Sequence, residues 1–390
     1  MLITRLTLKN WRNFRKVDVA LRERVYVIGP NASGKSNFLD VLRFLRDVAK
    51  PEGGGLLKAV KDRGGVTKLR CLLARKDPEI SIEAELSERV DTDPVWRYTL
   101  AFKSEGKGQQ RPLVSQEKVE NLRSGKVLLN RTDNNDKVDP ERLTQTHLEQ
   151  INTNREFREV ADFFASVTYL HLVPQLLKHA GELGGYRMED DPFGQAFLER
   201  IAKTPEKTSH ARLSKIEEVL RVCVPNMRNL RFVRDKVTGT PHLEALYEHW
   251  RPDAGWQRED QFSDGTLRLL GIMWSLLEGN SLLLLEEPEL SLNEDIVRQI
   301  HPLIWRMQRQ ARQAKYRRQV FITTHSEALL QEKSIDPREV VRLEPTQDGT
   351  IAVAASDEDK ALIAAGYSVA ETMLPKVKPA QVDQLSLFKP

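Results

Sequence analysis

The segment Gly29–Ser36, GPNASGKS, sets the tightest limit on what this chain can fold into. It fits G-x-x-x-x-G-K-[ST], a spacing in which glycines let the backbone turn sharply and successive N–H groups face a phosphate. Its setting agrees. Val25–Ile28 is an apolar run of strand length, and Ser36–Val48 puts Phe38, Val41, Leu42 and Leu45 on one helical face. A strand, a glycine loop and a helix in that order predict an α/β core with a helix N-terminus aimed at an anion. Lys35 is expected to reach the β- and γ-phosphates of a nucleotide, and Ser36 to ligate magnesium. Asn31 is expected near the γ-phosphate, with Gly29, Ala32, Ser33, Gly34 and Asn37 completing the cradle.

A second apolar run, Leu282–Leu285, is followed by Glu286-Glu287. A buried strand ending in carboxylates beside a phosphate loop reads as a Walker B element, placed where parallel sheets bind ligands. Glu286 is expected to hold magnesium through water, and Glu287 to polarise the attacking water. Glu286 stands where aspartate is usual and adds one methylene. The bland reading is a strand ending in solvated acids.

Composition bounds the rest. The chain has 390 residues, 40% apolar, enough for one large or two medium domains. A net charge of +4 permits nucleic-acid contact without arguing for it. Cys71 and Cys223 are far apart and lack metal-ligand spacing. No apolar run approaches the ~20 residues of a membrane helix, and MLITRLTLKN alternates like a strand rather than a leader. A soluble, cytoplasmic protein without a membrane partner is expected.

Strands are expected at Leu2–Lys9, Lys16–Leu21, Leu69–Ala74, Ile80–Leu86, Trp96–Lys103, Val114–Leu122 and Val127–Leu129. Helices are expected at Asn154–Ser166, Phe193–Ala202 and Glu206–Cys223, with a strand at Thr168–Val173. A hairpin joins Leu230–Asp235 to Leu243–Trp250. Ser263 is expected to N-cap a helix through Leu277, and Asn293–Arg312 to form one helix. Strands at Val320–Thr323, Val340–Leu343 and Ile351–Ala354 close the core. The segmentation is 1–68 for the first part of the core and 69–255 for an inserted lobe. Residues 256–355 form the second part of the core, and 356–390 a short helix and flexible tail.

The opening, ITRLTLKNWRNF followed by VYVIGPNASGKSNFLDVLRFL, resembles RecF-like and SMC-like heads. FSDGTLRLLGIMWSLLEGNSLLLLEEPELSL resembles the AAA-type ATPases of that clade, including the ATPase halves of overcoming-lysogenisation-defect nucleases and of anti-phage systems. The resemblance covers about 1–50 and 260–345. It implies an α/β ABC-type P-loop ATPase head: a mostly parallel core sheet flanked by helices, N-terminal antiparallel strands, and an inserted β-rich and helical lobe. It also implies ATP and Mg2+, and a homodimer in which Lys35 of one copy faces Ser263 of the other. Ser263 and Gly265 match the signature loop, though Ser263 serves equally as an ordinary cap. His325 matches the switch histidine that senses the γ-phosphate; the alternative is a surface histidine. Gln175 is a candidate for the glutamine that reaches magnesium, or a plain helix-start residue. Arg12 stands where related heads place a base near the nucleotide, or is a surface arginine.

The stretch between the motifs lacks the long heptad run of SMC proteins. The 65 residues after His325 are too few for a Toprim nuclease plus closing strands, so a nuclease effector is expected on a separate chain. Arg306, Arg309, Arg312, Lys315, Arg317 and Arg318 read either as a DNA-backbone contact or as cations complementing a helix end. The tail carries QLSLF, where Gln384, Leu385, Leu387 and Phe388 resemble a sliding-clamp-binding peptide; the alternative is a tail docked on its own domain. The roles in view are an ATP-switched dimer near DNA in anti-phage defence, a RecF-like repair accessory, and an ATP-stabilised scaffold.

Overall fold

A computed structural model describes residues 1–74, 76–106, 108, 110–134, 136, 139–179, 193–251, 255–279, 281–310 and 318–378. In chain order the strands are β1 Leu2–Trp11, β2 Phe14–Ala20, β3 Arg24–Ile28, β4 Ile80–Ser87, β5 Trp96–Ser104, β6 Pro112–Asn121, β7 Lys126–Thr132, β8 Thr168–Leu170, β9 Met227–Arg234, β10 Pro241–Tyr247, β11 Trp256–Arg258, β12 Leu283–Glu286, β13 Val320–Thr323, β14 Val340–Thr346 and β15 Gly349–Ala354. The α-helices are α1 Lys35–Ala49, α2 Leu56–Lys61, α3 Val66–Leu69, α4 Arg158–Ala165, α5 Pro174–Lys178, α6 Phe197–Lys203, α7 Glu206–Cys223, α8 Asp264–Leu277, α9 Glu294–Arg298, α10 Ile300–Gln310, α11 Glu327–Leu330, α12 Asp357–Ala364 and α13 Val369–Thr372. The chain clusters into two units. One holds 1–168, 280–284 and 311–390, and the other 169–279 and 285–310. These cuts fall at different places from the sequence-based segmentation.

Unit 1 contains a six-stranded antiparallel sheet ordered β2-β1-β4-β5-β6-β7. The strands read from 80 to 132 therefore extend the N-terminal hairpin through β1·β4 pairing, Leu8 against Ile82 and Leu6 against Ala84. Alternation explains the pattern: Leu6, Leu8, Ile82, Ala84, Tyr98 and Leu100 are all fully buried. The aromatic core is continuous within this unit, with Trp11 5.1 Å from Phe44 and Phe44 stacked on Phe102 at 5.5 Å. The second sheet is ordered β15-β14-β3-β13-β12-β8. In it β3 is flanked by parallel partners, β13 with Thr323 beside Val27 and β14 with Arg342 beside Ile28. Tyr169 and Leu285, within β8 and β12, begin the stretches that cluster with unit 2.

A buried glutamine ties the two sheets inside unit 1. Gln319, 1% exposed, accepts from the Ile3 N–H at 2.9 Å and donates to the carbonyls of Ile3 and Arg22 at 2.8 Å each. Gln319→Leu keeps the volume but leaves those backbone groups without partners. It is expected to cost about 2–3 kcal/mol in urea unfolding, because stranding buried polar groups costs more than a hydrogen bond gains. An unchanged midpoint would show that water replaces the amide.

Three expected elements differ. The strand over Leu69–Ala74 is absent: Val66–Leu69 is helical, and only Arg70 bridges to Trp11. Both edges of β1 are already taken by β2 and β4, so this segment can pair only where β1 ends. Leu72 accordingly stays 87% exposed. The strand from Thr168 stops at Leu170, and Pro174 opens α5 instead. The single helix over Asn293–Arg312 is two, broken at Gln299. Pro302 lacks an N–H, and its ring clashes with the carbonyl four residues back, at Arg298, where α9 ends.

Unit 2 holds the three-stranded antiparallel sheet β11-β10-β9, with α7 packed against β9. The helix α8 is apolar nearly all round and buried from Thr266 to Leu276.

Candidate nucleotide site

In unit 1 the glycine loop leaves β3 and enters α1, as its spacing requires. Gly34 caps α1 at φ 96, and a Cβ there would lie 2.2 Å from the Asn13 amide nitrogen. A Cβ on Gly29 would lie 2.8 Å from the Leu343 carbonyl oxygen. Both positions need glycine, the first for conformation and both for space. Ala32 also sits at positive φ, 62°. Lys35 is buried, and its ammonium donates to the Gly29 and Pro30 carbonyls at 3.2 and 3.3 Å, curling over the loop. No side chain caps α1, and its first turn carries no acid. The buried Ser33 hydroxyl lacks a hydrogen-bond partner among the described residues. An uncapped 15-residue helix, a loop with no room for a Cβ at Gly29 or Gly34, an orphaned hydroxyl and a lysine together fit a phosphate group.

Asn13 organises this loop, and sequence reasoning missed it. Its amide donates to the Ser33 carbonyl and to the Thr350 hydroxyl, each at 2.8 Å, and accepts from Asn37 at 2.7 Å. Trp11 donates to the Asn37 carbonyl at 3.0 Å. The only sequence signal was its place in NWRNF beside Arg12. Arg12, at φ 48, is paired with Asp40 of α1 at 2.7 Å. Asp40 also accepts from Arg63, which bonds Asp47 as well. Burial opposes ionisation of Asp40, yet Arg63 and Arg12 hold its carboxyl below the ordinary 3.8. A depressed carboxyl stabilises the fold above its unfolded value, and that stability is lost as pH falls below it. Asp40→Asn is therefore expected to flatten the acid limb of the stability profile, read by thermal melts below about pH 4.

His325 follows β13, two residues past Thr323, which pairs with Val27. The Thr324 N–H donates to the Val27 carbonyl at 3.2 Å. His325 and the glycine loop thus leave adjacent parallel strands at the same sheet end, the ligand side of such sheets. Ser326 caps α11 by accepting from the Leu329 N–H.

In unit 2, Glu286 ends β12. Its carboxylate accepts from the Tyr169 hydroxyl at 2.5 Å, and its carbonyl lies 3.3 Å from His171 Nδ1. Glu287 takes φ 43, a left-handed conformation that strains a residue bearing a Cβ. Ser263 caps α8, its hydroxyl accepting from the Thr266 N–H at 3.1 Å. A Cβ on Gly265 would lie 2.8 Å from the Ser291 carbonyl oxygen, so this glycine lets α8 pack against the turn after β12. Asp264, between Ser263 and Gly265, accepts from Gln175 at 2.5 Å and Lys178 at 2.7 Å. Gln175 therefore contacts the start of α8 in its own chain. Arg268, 6% exposed on α8, has no partner for its Nε among the described residues; it too was missed, hidden in an apolar helix.

Arg306, Arg309 and Arg318 are described, with Arg309 over the Trp305 ring at 4.9 Å and Arg318 donating to the Ser281 carbonyl. Arg312, Lys315, Arg317 and the tail residues Gln384, Leu385, Leu387 and Phe388 lie outside the described residues. No helix among the described residues is long and apolar enough to cross a membrane.

The glycine loop and the parallel strands around it are those of a P-loop ATPase head of the ABC, RecF and SMC kind. The chain belongs to the family described as AAA domain, putative AbiEii toxin, Type IV TA system, whose profile matches residues 25–331. It is 29% identical over 101 residues to the DNA replication and repair protein RecF of Roseiflexus castenholzii, covering 24% of this chain and 26% of that one. It is 47% identical over 47 residues to the endonuclease GajA of Bacillus cereus, covering 12% of this chain and 8% of that one. The chain thus spans well under two thirds of these relatives' lengths. Among solved structures, an SMC head bound to the C-terminal winged-helix domain of ScpA superposes at TM-score 0.57, with 14% identity, covering 92% of this chain and 99% of that chain. A Pyrococcus furiosus SMC head bound to the C-terminal domain of ScpA gives 0.52, with 12% identity over 93% and 98%.

Proposed function

We propose that this chain binds and hydrolyses ATP between two copies of itself, and that the resulting switch acts on or near DNA through a separately encoded effector. The observation that carries the reading is the phosphate cradle: an uncapped α1 entered through Gly34, with Lys35 folded over the loop and His325 leaving the neighbouring strand. Magnesium, when bound, neutralises charge on the β- and γ-phosphates; Ser36 and Glu286 are the residues that would hold it, with Gln175 as a further candidate. Lys35 and the loop N–H groups orient the phosphates, with Asn31 near the last of them. Glu287 orients and polarises the attacking water, His325 senses the γ-phosphate, and Ser263 and Gly265 present α8 to the nucleotide of the other copy. Arg12 acts through Asp40 in setting α1.

The likeness to GajA favours a defence role with a nuclease partner. The ScpA-bound SMC heads support partner docking on this fold. The RecF likeness favours a second reading, a repair accessory ATPase whose QLSLF tail binds a sliding clamp. A scaffold held together by ATP, with little turnover, is the third.

Complementation tests the dimer. Lys35→Ala and Ser263→Arg are each expected to abolish turnover, the first by removing phosphate contacts and the second by blocking α8. Mixed, they regain part of it, because a mixed dimer contains one site with both native residues. Two inactive variants that stay inactive after exchange would remove the shared-site reading, while nucleotide binding by Ser263→Arg would keep the cradle.

A further inference from the structure

Two residues of one short segment converge on Glu286 inside unit 2. Tyr169 lies within β8, the sheet neighbour of β12, and His171 just past it. The Tyr169 hydroxyl donates to Glu286 Oε2 at 2.5 Å, and His171 Nδ1 lies 3.3 Å from the Glu286 carbonyl oxygen. A carbonyl only accepts, so the second contact is a hydrogen bond in the tautomer that carries its proton on Nδ1. One residue therefore addresses the side chain of Glu286 and the other its backbone, one step before Glu287 takes φ 43. Tyr169 is 7% exposed. A phenol so buried needs an acceptor for its O–H, and 2.5 Å is the separation of a hydroxyl on a charged carboxylate.

Glu286 is a side chain that gains from such a hold. It ends β12 half-buried, and it has one more rotatable bond than the aspartate usual at such a position. Its carboxylate sweeps a wider arc than an aspartate's unless a neighbour fixes it, and fixing it on binding costs more side-chain entropy. Magnesium takes oxygen ligands in near-ideal octahedral geometry, so a wandering carboxylate binds it poorly. One hydroxyl does not exhaust the site, because a carboxylate offers two oxygens and about four acceptor positions. We infer that Tyr169 is a positioning residue whose hydroxyl holds the longer Glu286 side chain ready for magnesium, a role that rests on the reading of Glu286 as the magnesium carboxylate. The longer acid and the tyrosine then form a matched pair, in which the phenol supplies the restraint that a shorter side chain has by itself.

Binding of a fluorescent ATP analogue to the full chain, followed by anisotropy in EDTA and across a magnesium series, tests it. In EDTA the native chain, Tyr169→Phe and Glu286→Ala are expected to bind alike, since the glycine loop is untouched. The magnesium concentration at the midpoint should rise about tenfold or more in Tyr169→Phe, the usual effect of losing a group that orients a metal ligand, and at least as much in Glu286→Ala. Adding Tyr169→Phe to Glu286→Ala should change nothing further, because the hydroxyl acts only through that carboxylate. Turnover by Tyr169→Phe should recover at saturating magnesium. A native midpoint in Tyr169→Phe beside a raised one in Glu286→Ala overturns the role of Tyr169 and keeps Glu286 as the ligand. A lowered midpoint in Tyr169→Phe shows a hydroxyl that competes with the cation and overturns it too. Further loss in the double variant, or weak binding by Tyr169→Phe in EDTA, assigns the tyrosine to general packing and overturns the proposal. A native midpoint in Glu286→Ala, or a native chain indifferent to magnesium, overturns both the tyrosine's role and the reading of Glu286.

Discussion

Glu287→Gln is expected to bind ATP as the native chain does and to turn it over about 10²–10⁴-fold more slowly. The substitution keeps side-chain length and the left-handed backbone at φ 43, so it isolates the carboxylate charge. A glutamine can still hydrogen-bond a water but cannot draw off its proton, so the loss falls on the chemical step rather than on binding. Single-turnover hydrolysis measured beside equilibrium nucleotide binding checks it. Weakened binding would point to a folding defect in the turn after β12. Unchanged turnover would move the base away from Glu287 while leaving Lys35 and the phosphate loop in place. The expected by-product is a trapped, ATP-bound dimer, seen as a mass shift in light scattering.

Glu117→Ala is expected to destabilise unit 1 by about 3–5 kcal/mol. Glu117 is fully buried on β6 and accepts from the His147 and Leu148 N–H groups at 2.7 and 3.0 Å and from the Tyr98 hydroxyl at 3.2 Å. Arg131, itself buried, lies 3.6 Å away and holds Asp136 at 2.6 Å. Removing the carboxylate strands several buried donors at once. Burial pushes the Glu117 carboxyl up to about 7, against the pull of the two backbone N–H groups, Arg131 and Tyr98. The sign follows. Between the ordinary 4.5 and about 7, the native state holds more protons than the unfolded state, so stability falls as pH rises through that window. The alanine variant should lose this slope whatever its absolute stability. Urea unfolding at several pH values reads both quantities, and a slope that survives in Glu117→Ala would assign it to another group.

Much of the site was legible because its chemistry is local. A phosphate loop needs glycine at fixed offsets and a helix at once, so GPNASGKS led to α1 within a residue of its true start. The Ser263 cap was legible for the same reason, since an N-cap bond spans three residues. Asn13 was not. Its three partners lie 20, 24 and 337 residues away, and nothing within NWRNF distinguishes a loop-ordering asparagine from a solvated one. Tyr169 on Glu286 and Lys178 on Asp264 were hidden for the same reason, being 117 and 86 residues apart.

The sequence by itself determined the ATPase family, the strand, glycine loop and helix from Val25 to Ala49, the cap of α8 and the alternation that buries one face of the N-terminal sheet. These are short-range consequences of residue type, in which hydrogen-bond geometry and periodicity act over a few positions. Only the tertiary structure decided that Leu69–Ala74 finds no open edge on β1, and that Gln319 bridges two sheets. The pairing of Gln175 and Lys178 with Asp264 was likewise a tertiary outcome. Each depends on which edge or buried group is already occupied, and occupancy is fixed by contacts between segments far apart in the chain.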